Sequence, residues 1–423
     1  MAKSAQVICG SDQMPWEHFH LAVKATLSIF ASRERPELQA YGSPLMMVFH
    51  PGGSPLQFYA NRGNEGFEGF GRRLIMSLND TRSGVQAGNL PNLSHALLKH
   101  YAADATNPLD HVYAILGFTS TNSLPAEDRL RIDYSLDATT VFKEATLHCI
   151  ETEVSLDVLM TLGSSKEESM DGLPSWVPDW SSFDPSFTPL GLYSRYSCSK
   201  DSTPEVRFIE EDNVLVISGH TIDRIGTPSE PLPEYVIEAD YNARKRAKEK
   251  FWEAMYSWIN VAYSDEPYIT GEAAKDAFEH TLLVGSTFSN ENKVRSLFDF
   301  CWNKYWLATR INRAVKLNIP FVFQSAVMLQ FDKSDEYPQL RWEMDAYCKG
   351  RRIVRTAKGY LALVPADAKW GDFLVILKGA SIPYIIRAEG DNGTCRIVGG
   401  AYVHGIMGGE AYEQDKCHYL RFL

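Results

Sequence analysis

From Arg351 to the C-terminus the chain is cut into short β-branched and aromatic runs by Gly and Pro, so this stretch has to fold as strands and tight turns. Arg351-Arg352-Ile353-Val354-Arg355-Thr356, Lys358-Gly359-Tyr360-Leu361-Ala362-Leu363-Val364-Pro365 and Lys369-Trp370-Gly371-Asp372 follow one another, and Ala401-Tyr402-Val403-His404-Gly405-Ile406-Met407-Gly408-Gly409-Glu410 closes the series. Asp391-Asn392-Gly393 lies between the alternating runs Pro383–Ala388 and Cys395–Val398, where Asn-Gly supplies the positive φ angles of a type I′ hairpin turn. An earlier pair of runs, Val206-Arg207-Phe208-Ile209 and Val214-Leu215-Val216-Ile217, flanks Glu210-Glu211-Asp212-Asn213 as a second hairpin. From Tyr241 to Leu317 the apolar period becomes helical, with a charged face at Arg244-Lys245-Arg246-Ala247-Lys248-Glu249-Lys250 and apolar positions at Phe298, Trp302, Tyr305 and Trp306.

The N-terminal part reads as helices and loops. Trp16, Phe19, Val23, Leu27 and Phe30 mark an amphipathic helix over Pro15–Ser32, and Phe67, Phe70, Leu74 and Leu78 mark another over Gly66–Arg82. The Gly- and Pro-rich stretch Tyr41–Asn64 between them reads as a long functional loop. Over 107–117, Asn107 suits a cap, Pro108 the first helical position, Asp110 the first turn and Gly117 the end. A further helix runs over Ala138–Thr152, whereas Pro174, Pro178, Pro185 and Pro189 keep 173–189 out of helix. The expected fold is therefore α+β. A mainly helical region (1–200) packs on a small β-barrel-like domain formed by 201–240 and 346–423, with residues 241–345 as a helical insertion.

Composition removes several function classes. Hydrophobic residues make up 44% and charged residues 22% of the 423, as in a globular protein with large cores. A net charge of −11 without a long basic stripe argues against nucleic acid as a partner. Seven scattered cysteines with no C-x-x-C pair predict reduced thiols in a cytoplasmic protein, and no apolar run is long enough to span a membrane. There is no G-x-S-x-G, H-E-x-x-H, Walker or G-x-G-x-x-G motif, so neither a metal nor a nucleotide cofactor is expected.

Three constellations could carry chemistry. Trp176-Val177-Pro178-Asp179-Trp180 places two indoles and a carboxylate on a proline-bounded segment, which could form a pocket wall or plug a seam with Asp179 accepting backbone N–H bonds. Tyr402, His404 and Glu410 share the last strand and its turn, with His404 a possible donor to a carbonyl. Arg72, beside Phe67 and Phe70, could clamp a carboxylate or carbonyl. Catalytic roles thus fall to His404, Arg72 and Asp179, and substrate contacts to Trp176, Trp180, Tyr402, Phe67, Phe70 and Glu410.

Taken together, three motifs resemble fungal heterokaryon-incompatibility (HET) proteins: Asn107-Pro108-Leu109-Asp110-His111-Val112-Tyr113-Ala114-Ile115-Leu116-Gly117 with Ile132-Asp133-Tyr134-Ser135, Leu173-Pro174-Ser175-Trp176-Val177-Pro178-Asp179-Trp180-Ser181, and the C-terminal series. The resemblance implies a role in non-self recognition, and the chain reads as such a protein without the N-terminal signalling domain related to TIR domains. Two further readings come from the residues. Aromatics at 12% and the absence of catalytic motifs suit a cofactor-independent cyclase of secondary metabolism, of the pericyclase or Diels–Alderase type, holding a hydrophobic small-molecule substrate by proximity and one hydrogen-bond donor. A regulator or scaffold in incompatibility, or a non-catalytic carrier of a hydrophobic metabolite, are the alternatives.

Overall fold

The structure is a computed structural model, and it describes residues 6–9, 12–21, 45–49, 55–59, 65–101, 103–163, 170–182, 189–190, 196–211, 213–233, 241–285, 293–315, 340, 344–345, 347–390 and 393–423. It is α+β, with a β-sheet region at the C-terminal end. Two small hairpins come first. Strands β1 (Gln6–Cys9) and β2 (Asp12–Pro15) pair antiparallel and lead into helix α1 at 16–21, beyond which the expected helix to Ser32 lies outside the described residues. Strands β3 (Leu45–Phe49) and β4 (Pro55–Tyr59) pair from Leu45–Tyr59 to Phe49–Pro55, so part of the Tyr41–Asn64 stretch is a hairpin and not a plain loop. Its β-branched and aromatic residues outweigh the Gly and Pro around them.

Helices α2 (Glu65–Gln86), α3 (Leu93–His100), α4 (Asp110–Leu116) and α5 (Ala138–Glu153) build the N-terminal part. Asn92 and Asp137 cap α3 and α5 by accepting the N–H of His95 and Thr140, as short polar side chains do at a helix start. The capping expected at 107–117 is realised differently. Asn107 Oδ1 takes the Leu109 N–H at 3.1 Å in a turn that precedes α4, and Gly117 keeps an ordinary right-handed conformation at φ −60°. The two parts of the first motif meet in space: Tyr134 donates to Asp110 at 2.6 Å, and its ring packs edge-on against Tyr113 at 5.2 Å. Asp110 is thereby a structural acceptor. In the α2–α3 joint, Thr81 Oγ1 lies 3.0 Å from buried His100 Nε2, and burial pulls His100 down to about 4.

The expected first hairpin is present as β5 (Val206–Ile209) and β6 (Val214–Arg224), in register from Val206–Ile217 to Ile209–Val214. Strands β7 (Arg351–Arg355), β8 (Leu361–Pro365), β9 (Phe373–Leu377), β10 (Tyr384–Glu389), β11 (Thr394–Gly400), β12 (Tyr402–Val403) and β13 (His418–Phe422) follow late in the chain. A six-stranded sheet has the order β13-β11-β10-β9-β6-β5, and β13 also pairs with β6; β12-β8-β7 form a separate sheet. The early strands therefore pair directly with the late ones, from Gly219–Leu377 to Arg224–Phe373. The strands do not make one closed barrel, because the β11–β13 junction has only two residue pairs and the second sheet stands apart. The β10–β11 hairpin closes at Glu389–Thr394 across residues 390–393, with Gly393 at φ +69°; Asp391 and Asn392 lie outside the described residues.

Side-chain alternation gives the β-unit two cores. Leu374, Ile376, Ala362, Val364 and Ile385 point into a small cluster between the sheets. Val375, Leu377, Leu361, Leu363, Tyr384 and Ile386 point the other way, into a large cluster shared with α3, α4 and α5. Strands buried on both faces read as continuous apolar runs, as Phe373–Leu377 does. Between β6 and β7, helices α6 (Tyr241–Ala262), α7 (Ala274–Leu282) and α8 (Lys293–Val315) join the large core through Trp252, Trp258, Phe278, Phe298 and Trp302. Arg355 of β7 donates to the carbonyls of Val261 (3.1 Å) and Ala262 (2.8 Å), so a cation meets the negative end of α6. Among the described residues no helix is long and apolar enough to cross a membrane.

The tryptophan-rich segment lies at the junction of the helices and the sheet. Ser175 N–H donates to the Leu423 carbonyl at 2.7 Å, the Ile397 N–H donates to Ser175 Oγ at 3.3 Å, and Trp176 packs edge-on against Phe208 at 5.7 Å. Trp176 is fully buried in the large cluster, so Trp176→Ala is expected to lower unfolding free energy by about 3–5 kcal/mol in urea titrations. A loss below about 1 kcal/mol would show that the indole carries little of the packing.

Candidate functional site

The site with the densest polar chemistry lies where β12 and its turn meet the segment leading into α7. His404 follows β12 directly, and its backbone N–H donates to the Leu361 carbonyl at 3.0 Å. Tyr268 clamps the same point from the insertion: its hydroxyl donates to the His404 carbonyl at 2.9 Å and accepts the Leu361 N–H at 2.8 Å. A tight turn over 268–272, closed by the Tyr268 N–H to Glu272 carbonyl bond at 2.7 Å, then delivers Glu272.

Glu272 Oε1 lies 2.5 Å from His404 Nε2, and Tyr402 Oη lies 3.3 Å from His404 Nδ1. With the imidazole neutral, the consistent arrangement has Nε2–H donating to the carboxylate and Nδ1 accepting from the phenol. Thr270 Oγ1 donates to the other Glu272 oxygen at 2.7 Å. The ring of His280, from α7, stacks on His404 with 5.1 Å between centroids and 3° between planes, and among the described residues its buried Nδ1 has no hydrogen-bond partner.

Burial pulls His404 below the ordinary histidine value, opposed by the Glu272 hydrogen bond and charge and assisted by His280. For Glu272, burial pushes upward, but the hydrogen bonds from Thr270 and His404 together outweigh it and hold the carboxyl below its usual value. Burial raises the Tyr402 phenol. The arrangement is a carboxylate–imidazole–phenol chain whose Glu272 end is 31% exposed while the Tyr402 end is buried. It ties the insertion to the β-unit and can pass a proton along its length. Among the described residues no group of three or more His, Cys, Asp or Glu side chains could hold a metal ion.

The expected site residues fall in different places. Tyr402 and His404 are brought together as read from the sequence, but Glu410 is exposed and turns back to accept the Gly408 N–H at 2.9 Å within its own turn. The carboxylate on His404 is Glu272, which lies 132 residues away and has no local motif to announce it. Asp179 accepts the Met170 N–H (3.0 Å), the Ser181 N–H (3.0 Å) and the Ser181 hydroxyl (2.7 Å), so its lone pairs serve the backbone of its own segment. Trp176 and Trp180 are buried in the large core. A cleft of about 210 Å³ opens beside Phe208, between α5 residues Leu147 and Ile150 and strand residue Val206. Phe67, Phe70 and Arg72 belong to α2, but their side chains lie outside the described residues.

The pH dependence follows from these shifts. A histidine held below its unfolded value binds fewer protons when folded, so its contribution is full above the unfolded pKa and lost as pH falls through that value toward the folded one. Glu272, held low, acts in the same direction at lower pH. Unfolding free energy is therefore expected to fall between pH 7 and pH 5 in urea titrations. His404→Gln should be less stable at pH 7 yet show a smaller fall, since one of the titrating groups is gone. An equal fall in the variant would mean that His404 is not held neutral.

Comparison with known proteins places these features in context. Residues 326–420, which include β7 to β12 and most of β13, match the family model described as the Het-6 beta-barrel domain. The chain is 26% identical over 350 residues to heterokaryon incompatibility protein 6, OR allele, of Neurospora crassa, an alignment covering 72% of this chain and 49% of that protein. The chain thus spans about half the length of the curated relative it matches. No solved structure matches it.

Proposed function

We propose that this chain acts in heterokaryon incompatibility, as a cytoplasmic protein that recognises or relays a non-self signal through protein contacts. The observation that carries the reading is the coincidence of the two similarities, a Het-6 β-barrel match over 326–420 and a 26% identical incompatibility protein aligned over 350 residues. In this reading the two sheets form a barrel-like recognition module, and the Glu272–His404–Tyr402 chain holds the helical insertion against it. Cofactor-independent cyclisation of a hydrophobic substrate would need an enclosed apolar cavity. Both indoles meant to shape a cavity are packed in the core.

The reading is tested in the fungus. Deleting the gene is expected to allow stable heterokaryons with a partner strain that the parent rejects, and restoring the full chain should restore rejection. Unchanged rejection after deletion, against every partner strain tried, would remove the chain from incompatibility.

A further inference from the structure

Strand β5 ends the six-stranded sheet, and among the described residues no strand pairs with its side turned away from β6. The phase of the hairpin fixes which groups face that side. Ser218 N–H donates to the Glu205 carbonyl at 3.0 Å, and the register continues from Val206–Ile217 to Ile209–Val214. Hydrogen-bonded and non-hydrogen-bonded pairs alternate along an antiparallel ladder, so Arg207 and Ile209 bond to β6 while Val206 and Phe208 turn their N–H and C=O groups outward. None of those four outward groups has a hydrogen-bond partner among the described residues. An edge in this state is a template for one more strand.

The same two residues line the cleft beside α5. Side chains two apart in a strand share a face, and here half-buried Val206 and Phe208 form one wall while Leu147, Ile150 and Val154 form the other. Trp176 packs edge-on against Phe208 at 5.7 Å, which anchors the first wall in the large core. Val154 caps α5 in the left-handed region at φ +50°, a conformation that β-branched residues rarely adopt, and its side chain stays 56% exposed at the cleft. Backbone strain of this kind collects at binding sites. Charges of both signs border the cleft, with Glu151 in its lining and Lys143 Nζ 5.9 Å from the Phe208 ring centroid. The backbone edge and the apolar walls, rather than net charge, therefore select what binds.

We propose that the β5 edge and its cleft bind a short extended segment of another protein, which adds a strand to the sheet through Val206 and Phe208 and places apolar side chains from alternate positions into the cleft. A strand is the occupant because outward donors and acceptors on two residues at strand spacing are matched by an extended backbone, whereas a docked helix keeps its own backbone groups paired internally. With β5 only four residues long, the contact reads apolar side chains at i and i+2 of the partner. In recognition of this kind main-chain bonds supply affinity and the pocket for alternate side chains supplies specificity. The surface is assigned by backbone geometry whatever process the chain serves, so absence of peptide binding would leave the incompatibility reading intact.

The test is fluorescence anisotropy of the full chain with labelled peptides Ser-Gly-Φ-Thr-Φ-Thr-Φ-Gly-Ser, Φ being Val, Leu or Phe, and with the same peptides N-methylated on the five central residues. Methylation removes the backbone donors and keeps every side chain. At least one unmethylated peptide is expected to bind, its methylated form to bind at least tenfold more weakly, and Val206→Pro to weaken binding by tenfold or more with the fold retained by circular dichroism. Proline at 206 removes an outward N–H and no bond to β6. Binding by none of the peptides, or equal binding of methylated and unmethylated forms, overturns the proposal even if Val206→Pro fails to fold. So does equal binding by a folded Val206→Pro, or self-association in sedimentation velocity that Val206→Pro abolishes, since a second copy would then be the occupant.

Discussion

The burial of Trp176 and Trp180 in one apolar cluster that spans both the N-terminal helices and the sheet is the constraint on which the rest of the structure depends. Pro174 and Pro178 keep the segment out of helix, its backbone folding into tight turns such as the Val177 N–H to Pro174 carbonyl bond, and Asp179 satisfies the backbone of its own turn. Ser175 lashes the segment to the last residue of the chain and to β11. A seam filled in this way cannot open without exposing two indoles to water. The helices and the sheet are then parts of one packed body despite the long stretch of sequence between their contributing elements.

A second consequence follows from strands that are buried on both faces. The inner cluster between the two sheets is small and comes from the β-unit and Cys198 just before it, while the outer cluster is continuous with helices from both the N-terminal part and the insertion. The insertion is accordingly not a separate appendage. Arg355 holds the end of α6, Tyr268 bridges Leu361 and His404, and Glu272 fixes the imidazole at the start of the β12 turn. Each of these bonds satisfies a polar group at the same junction, which is the arrangement expected where polar atoms are buried between packed elements.

Local pattern made much of this legible. The period of two at 206–209 and 214–217, the helical period over 241–317 and the Gly and Pro spacing after Arg351 each correspond to observed elements. The hairpin at 45–59 was hidden because Gly and Pro around it resemble a loop, whereas the backbone pairs Met46 with Phe58 and Val48 with Leu56. Pairing of β6 with both β9 and β13 is a long-range event that no local period encodes. The site divides in the same way. Tyr402 and His404 are two residues apart and readable as a pair, but Glu272 and His280 arrive from the insertion, and Glu410, near in sequence, spends its carboxylate on its own turn. Asp179, one of two readings open at the start, is explained by its backbone acceptor role.

The claim that helices and sheet share one core is tested most directly by native-state hydrogen exchange. Amides of Phe142 and Ala145 in α5 and of Ile376 and Ile385 in the sheet should exchange with the same opening free energy, and Trp176→Ala should lower all four by the same amount. Exchange of the α5 amides at a distinctly lower free energy, with the sheet amides untouched by Trp176→Ala, would contradict the account.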